Sequence, residues 1–154
     1  MPDTSRFLQG SFTPVTEETT AFDLPVTGTL PAELTGRYLR NGPNPLGLDD
    51  PNYHWFLGAG MVHGVRIRHD LTRGVTQARE FGRDATVGEA VFAPSSPDSG
   101  EDDGYVMAFV HNPDRGASDL VILSAQDFLG EPVATVHLPA RVPLGFHGSW
   151  IADR

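Results

Sequence analysis

Apolar and polar residues alternate from Met61 through His63, Val65 and Ile67, with Arg66 and Arg68 on the opposite side. A period of two marks a strand that turns one face inward. "GRYLR" at 36–40 reads as a short strand that runs into the Pro- and Gly-dense turn "NGPNP". Further short strands are predicted around 77–81, 89–93, 105–111, 120–123, 133–138 and 146–151. "YVMAFV" and "LVIL" are continuous apolar runs, the pattern of strands covered on both faces. Turn chemistry separates them: "SSPDSGEDDG" reads as a polar loop, "NPDRGASD" and "QDFLGEP" as tighter turns. Residues 1–35 are Pro/Thr/Glu-rich and weakly patterned, an extended arm with one turn at 31–34. Strand after short strand without a helical period predicts an all-β fold: sandwich, barrel or propeller. No internal repeat chooses among them.

A chain of 154 residues predicts one domain, and 17 Gly with 13 Pro favour turns over long helices. The net charge of −9 disfavours nucleic acid and anionic membranes as partners. The absence of Cys excludes disulfides, thiolate metal sites and thiol nucleophiles. No apolar run approaches the roughly 20 residues of a membrane helix. "MPDTSRFLQG" lacks the regions of a signal peptide, so a cytoplasmic location is expected.

Metal or acid–base chemistry therefore falls to six His residues and the carboxylates. No His pair has helical i, i+4 spacing, and no HExxH or HxH motif occurs. His54, His69 and His111 lie beside turns or strand ends, where solvated or capping roles are expected. His137 faces away from Ala134, Val136 and Leu138 and is expected to be exposed. His63 shares a face with Met61, Val65 and Ile67, which predicts a hydrogen-bonded core His. His147 follows Phe146 and is flanked by Gly145 and Gly148, which permit close backbone approach. Spacing leaves two roles open for it, a strand-end core residue or part of a site. "EDDG" at 101–104 lacks the alternating acids of a calcium loop and reads as solvated. There is no nucleophile elbow and no phosphate-cradling glycine loop.

"GRYLRNGPNP" followed by "YHWFLGAGMVHGV" resembles the amino-terminal signature of the carotenoid cleavage oxygenases, a family that includes lignostilbene dioxygenases. "VGEAVFAP", "EDDGYVMAFV", "SDLVILSAQDF" and "PVATVHLPARVPLGFHGSWI" resemble its carboxy-terminal end. The resemblance implies a seven-bladed β-propeller with an axial Fe(2+) held by four His, whose rings are oriented by glutamates. It also implies dioxygen-dependent cleavage of a conjugated C=C bond in carotenoids, apocarotenoids or stilbenes, giving aldehydes or ketones. Neutral imidazoles suit Fe(2+), and carboxylates behind them fix their tautomers. "GFHG" matches the motif of the last iron ligand, which would make His147 that ligand. Glu89 in "GEAVF" matches a glutamate that accepts a hydrogen bond from a ligand ring, which here would be that of His147. His63 matches a position that is not a ligand, and Ala59 stands where the family has an Asp.

The chain is much shorter than the family. Its amino-terminal signature runs into carboxy-terminal sequence at a seam near 65–67. Residues 36–154 would then form a partial propeller of one to two blades, an incomplete ring. Three ligand His are missing, since His54, His69, His111 and His137 fall in segments that match other positions. An oxidoreductase of this descent, with a hydrophobic conjugated substrate, is expected to be inactive as this isolated chain. The alternatives are a non-enzymatic β fragment that self-associates through open strand edges, or a non-functional deletion product.

Overall fold

The computed structural model describes residues 5–17, 19–45, 50–54, 67–70, 75–82 and 84–153, with backbone alone for 67–70 and 75–77. Two short 3-10 turns, Arg6–Leu8 and Gly10–Phe12, open the described chain. Nine strands follow: β1 (Val26–Gly28), β2 (Gly36–Arg40), β3 (Ile67–Asp70), β4 (Val75–Ala78), β5 (Thr86–Pro94), β6 (Gly104–Asn112), β7 (Ala117–Ser124), β8 (Ala134–His137) and β9 (Gly148–Ala152). The fold is all-β. Five strands form an antiparallel sheet in the order β1-β8-β7-β6-β5, while β2-β9 and β3-β4 make two-stranded sheets.

The large sheet is covered on both faces. The pairs Val106↔Leu123 and Ala108↔Val121 put one set of side chains on one face, where they meet Val110 and Phe128. Met107↔Ile122 points the other way, onto Ala93 and Ala134. The unbroken apolar runs in β6 and β7 therefore read correctly as strands without a wet face. Each fully buried aliphatic side chain stabilises by about 1.5–3 kcal/mol.

The β2-β9 ribbon packs on this second face. Its register places Tyr38 opposite Trp150 and Arg40 opposite Gly148, all on the inward side. Trp150 joins the Met107 cluster and the Tyr38 ring stacks on Phe109 at 4.8 Å. Leu39 and Ile151 point outward and are about half exposed.

Residues 5–30 are tied down at several points. Phe7 and Phe12 pack on Leu144 and Phe146, β1 pairs with β8, and Arg141 donates to Ser11 O and Thr13 O. The turn expected at 31–34 is present, closed by Leu34 N donating to Pro31 O at 3.1 Å.

Two predicted strands are displaced. The one at 77–81 ends at Ala78, because Arg79 reaches across to donate to the carbonyls of Phe128 and Gly130. The last strand starts at Gly148 rather than 146, because Phe146 turns into the Leu144 cluster. The alternation at 61–66, His63, Ala59 and most of the proposed seam lie outside the described residues.

Candidate functional site

The expected pair meets. Glu89 lies on β5 and His147 just before β9, and the ring Nδ1 of His147 is 3.4 Å from Glu89 Oε1. The other carboxylate oxygen, Oε2, accepts from Gly148 N at 2.7 Å. One carboxylate thus holds both the side chain of residue 147 and the main chain of residue 148.

A strand break aims Glu89. The β5–β6 register shifts between Val87 and Ala90, so Gly88 and Glu89 fall in an irregular step. Such a bulge turns a side chain out of strict alternation. The Tyr38 hydroxyl donates to Glu89 O at 2.9 Å and supports the bulge from β2.

Asn41 fixes the approach of His147. Its N donates to His147 O at 3.1 Å, its O accepts from Phe146 N at 2.6 Å, and its Oδ1 accepts from His147 N at 3.2 Å. The backbones of Gly42 and Gly145 touch, with no room for a side chain on either. That close approach is the role inferred for the glycines around His147, although its partner Gly42 was not foreseen.

Between these segments lies the Arg40 guanidinium. It donates from Nη2 to Gly145 O at 2.8 Å, and its buried Nε has no hydrogen-bond partner among the described residues. Burial pushes its pKa down, against the opposing influence of Tyr38 and the Glu89 carboxylate. Sequence reading missed Tyr38, Arg40 and Asn41 as site residues. The available signal was Arg40 on the same strand face as Tyr38, a cation on the inward side of a ribbon.

With Nδ1–H donating to a carboxylate, a neutral imidazole presents its Nε2 lone pair outward. The His147 side chain is 66% exposed, so the ring is reachable. The other placed histidines lie elsewhere. The His54 ring sits 4.2 Å from Phe7, His111 is paired with Thr86 and Ser118 in the sheet, and His137 contacts Asp119. Among the described residues no three His, Asp or Glu side chains converge as a metal site. Among those residues the donor set is one imidazole with a carboxylate behind it, which does not fit a four-imidazole iron centre.

His137 departs from expectation. It is half-buried, with Nδ1 2.8 Å from Asp119 Oδ1 and Nε2 2.8 Å from Thr27 Oγ1. The strand pattern set it on the face opposite Ala134 and Val136 correctly, but the face it shares with Val121 is also a core face, and the ring lies under edge strand β1. Glu101, Asp102 and Asp103 are exposed, as expected, whereas Gly104 is buried at the start of β6.

The model of the family described as RPE65, Retinal pigment epithelial membrane protein, matches residues 12–73 and 67–152. The chain belongs to this family. A carotenoid cleavage oxygenase of Mycobacterium tuberculosis is 47% identical over 97 residues, 61% of this chain and 19% of that protein. The apocarotenoid-15,15'-oxygenase of Synechocystis is 36% identical over 97 residues, 63% of this chain and 20% of that protein. A solved structure of cobalt-substituted Synechocystis apocarotenoid oxygenase superposes with a TM-score of 0.54 at 34% identity. It covers 56% of this chain and 18% of that one. The chain therefore spans about a fifth of the length of these relatives. Among the described residues no helix is long and apolar enough to cross a membrane.

Proposed function

We propose that the chain is a catalytically silent relative of the Fe(2+)-dependent dioxygenases that cleave conjugated C=C bonds of carotenoids, apocarotenoids or stilbenes. In this reading His147 is a surviving iron-ligand position and Glu89 the carboxylate that orients its ring. The carrying observation is that Glu89 holds both the His147 ring and Gly148 N, while no second imidazole stands beside them among the described residues. A single imidazole holds Fe(2+) weakly, and an oxygenase must place metal, dioxygen and substrate together.

The two family matches meet at residues 67–73, which supports a seam near 65–67 between an arm-and-strand portion and the rest of a partial propeller. The substrate class, a hydrophobic conjugated molecule, comes from what the relatives' names say they act on. The test is to load purified chain with Fe(2+) and supply a stilbene and an apocarotenoid under oxygen. No cleavage is expected. Oxygen-dependent cleavage that vanishes in His147→Ala would overturn the proposal.

A second reading, association with other chains, is favoured by one observation. Leu39 and Ile151 are both exposed on the outer face of the β2-β9 ribbon. Sheet faces and edges of this kind invite pairing. Light scattering across a concentration series decides it, and a strict monomer at all concentrations would sink it.

A further inference from the structure

We propose that Arg40 is the positioning residue that sets Glu89 against His147, and that it does so by occupying the space left by Gly88. The inference rests on the reading of His147 and Glu89 given above and adds what determines their geometry.

Arg40 ends β2 and faces the large sheet. A Cβ built on Gly88 would fall onto the guanidinium, with Nη1 the nearest atom and Nη2 at 3.0 Å. A Cβ on Gly145 would come within 2.8 Å of Arg40 Nε. The cation is therefore seated between two glycines on different segments. It also donates to Gly145 O, two residues before the imidazole it is argued to serve.

Gly88 lies in the bulge that carries Glu89. A bulge is an energetic compromise that its surroundings must hold in place. Arg40 holds it in two ways. Its planar group fills the gap opposite Gly88, and its Nη2 donates to Gly145 O, tying the bulge to the segment that carries His147. Donors and shape are both needed: a Lys lacks the planar fork, and a Met fills space without donating.

The chain is labelled with 15N-histidine, and the tautomer of the neutral His147 ring is read from its two ring-nitrogen shifts above the histidine titration range. In the native chain the Nδ1–H form should predominate. In Arg40→Met the ratio of Nδ1–H to Nε2–H should fall by about tenfold, while far-UV circular dichroism stays unchanged. Glu89→Gln should produce a comparable loss, and Arg40→Lys an intermediate one.

The seating is tested separately by a stability cycle in urea. Gly88→Ala should destabilise the native chain by displacing the guanidinium. The same change should be nearly neutral in Arg40→Ala, because the clash is gone. This arm also decides the matter if Arg40→Met does not fold, since Gly88→Ala moves the guanidinium while keeping its charge and should itself shift the tautomer ratio.

An unaltered His147 tautomer in a folded Arg40→Met or Gly88→Ala, or additive effects of Gly88→Ala and Arg40→Ala, would overturn the proposal. Neither result bears on cleavage activity. Detection of that activity would leave the Arg40 assignment intact, so the two readings fail separately.

Discussion

His137 on β8 and Asp119 on β7 face each other with Nδ1 and Oδ1 2.8 Å apart, and the far side of the same ring reaches Thr27 on edge strand β1. Asp119 is 8% exposed and also receives the Arg115 guanidinium. A buried carboxylate needs such partners, because leaving it unpaired costs its desolvation. β1 has only three residues, all exposed, so side-chain ties count for much of its docking. His137→Ala should therefore destabilise the fold by about 1–2 kcal/mol. It should also speed amide exchange of Thr29, whose N donates to Val133 O beside this edge. Unchanged exchange would show that the strand pairing suffices without the histidine.

Asn41→Ala removes the Oδ1 acceptor for His147 N but leaves the two main-chain bonds of Asn41. The contact is exposed, so the stability loss should be small, about 0.5–1 kcal/mol. Exchange should quicken at the His147 amide and stay slow at Phe146, a contrast that reports local rather than global loosening.

The Tyr105 hydroxyl donates to Glu33 Oε1 at 2.5 Å. That bond, with smaller contributions from burial and nearby carboxylates, pushes the Tyr105 pKa up to about 12. The same bond lowers the Glu33 carboxyl below its usual range, reinforced by a backbone hydrogen bond. The folded state thus favours the neutral phenol. Its contribution is fully present below the ordinary tyrosine pKa of about 10 and is lost as pH rises through about 12. The Glu33 contribution is present above the ordinary carboxylate range and is lost as pH falls through its lowered pKa. Phenolate absorbance should show Tyr105 titrating late, brought back towards about 10 by Glu33→Gln.

Ile122 is 1% exposed and packs on Met107 and Ala134 in the face that the ribbon covers. Ile122→Ala should cost about 2–5 kcal/mol through lost burial and the cavity left behind. Leu39→Lys with Ile151→Lys, on the ribbon's outer face, should leave thermal stability nearly unchanged. Any concentration-dependent association through that face should disappear with them, and association that persists would place the contact elsewhere.

The sequence made the strands of the large sheet legible because periodicity and unbroken apolar runs are local signals. The run 105–111 became Gly104–Asn112, and 120–123 became Ala117–Ser124. Boundaries failed where a single side chain found a distant partner, as with Arg79 at the end of β4 and Phe146 before β9. His147 and Glu89 were both named from motif resemblance, whereas Arg40 and Asn41 were not. Their roles depend on contacts with residues 88 and 145–147, far along the chain, which no window of sequence contains.

Residue order alone determined that this is a β protein without cysteine chemistry, built from short strands with sharp turns, because alternation, apolar runs and glycine or proline act over a few residues. Only the tertiary structure decided that β2 and β9, the second and the last of the described strands, form one ribbon over the large sheet. It also decided that a bulge at Gly88 receives an arginine, and that His137 is clasped under an edge strand. These outcomes depend on which surfaces meet when the long-range pairs close, and shape, charge and hydrogen-bond reach settle that across distances the local pattern does not encode.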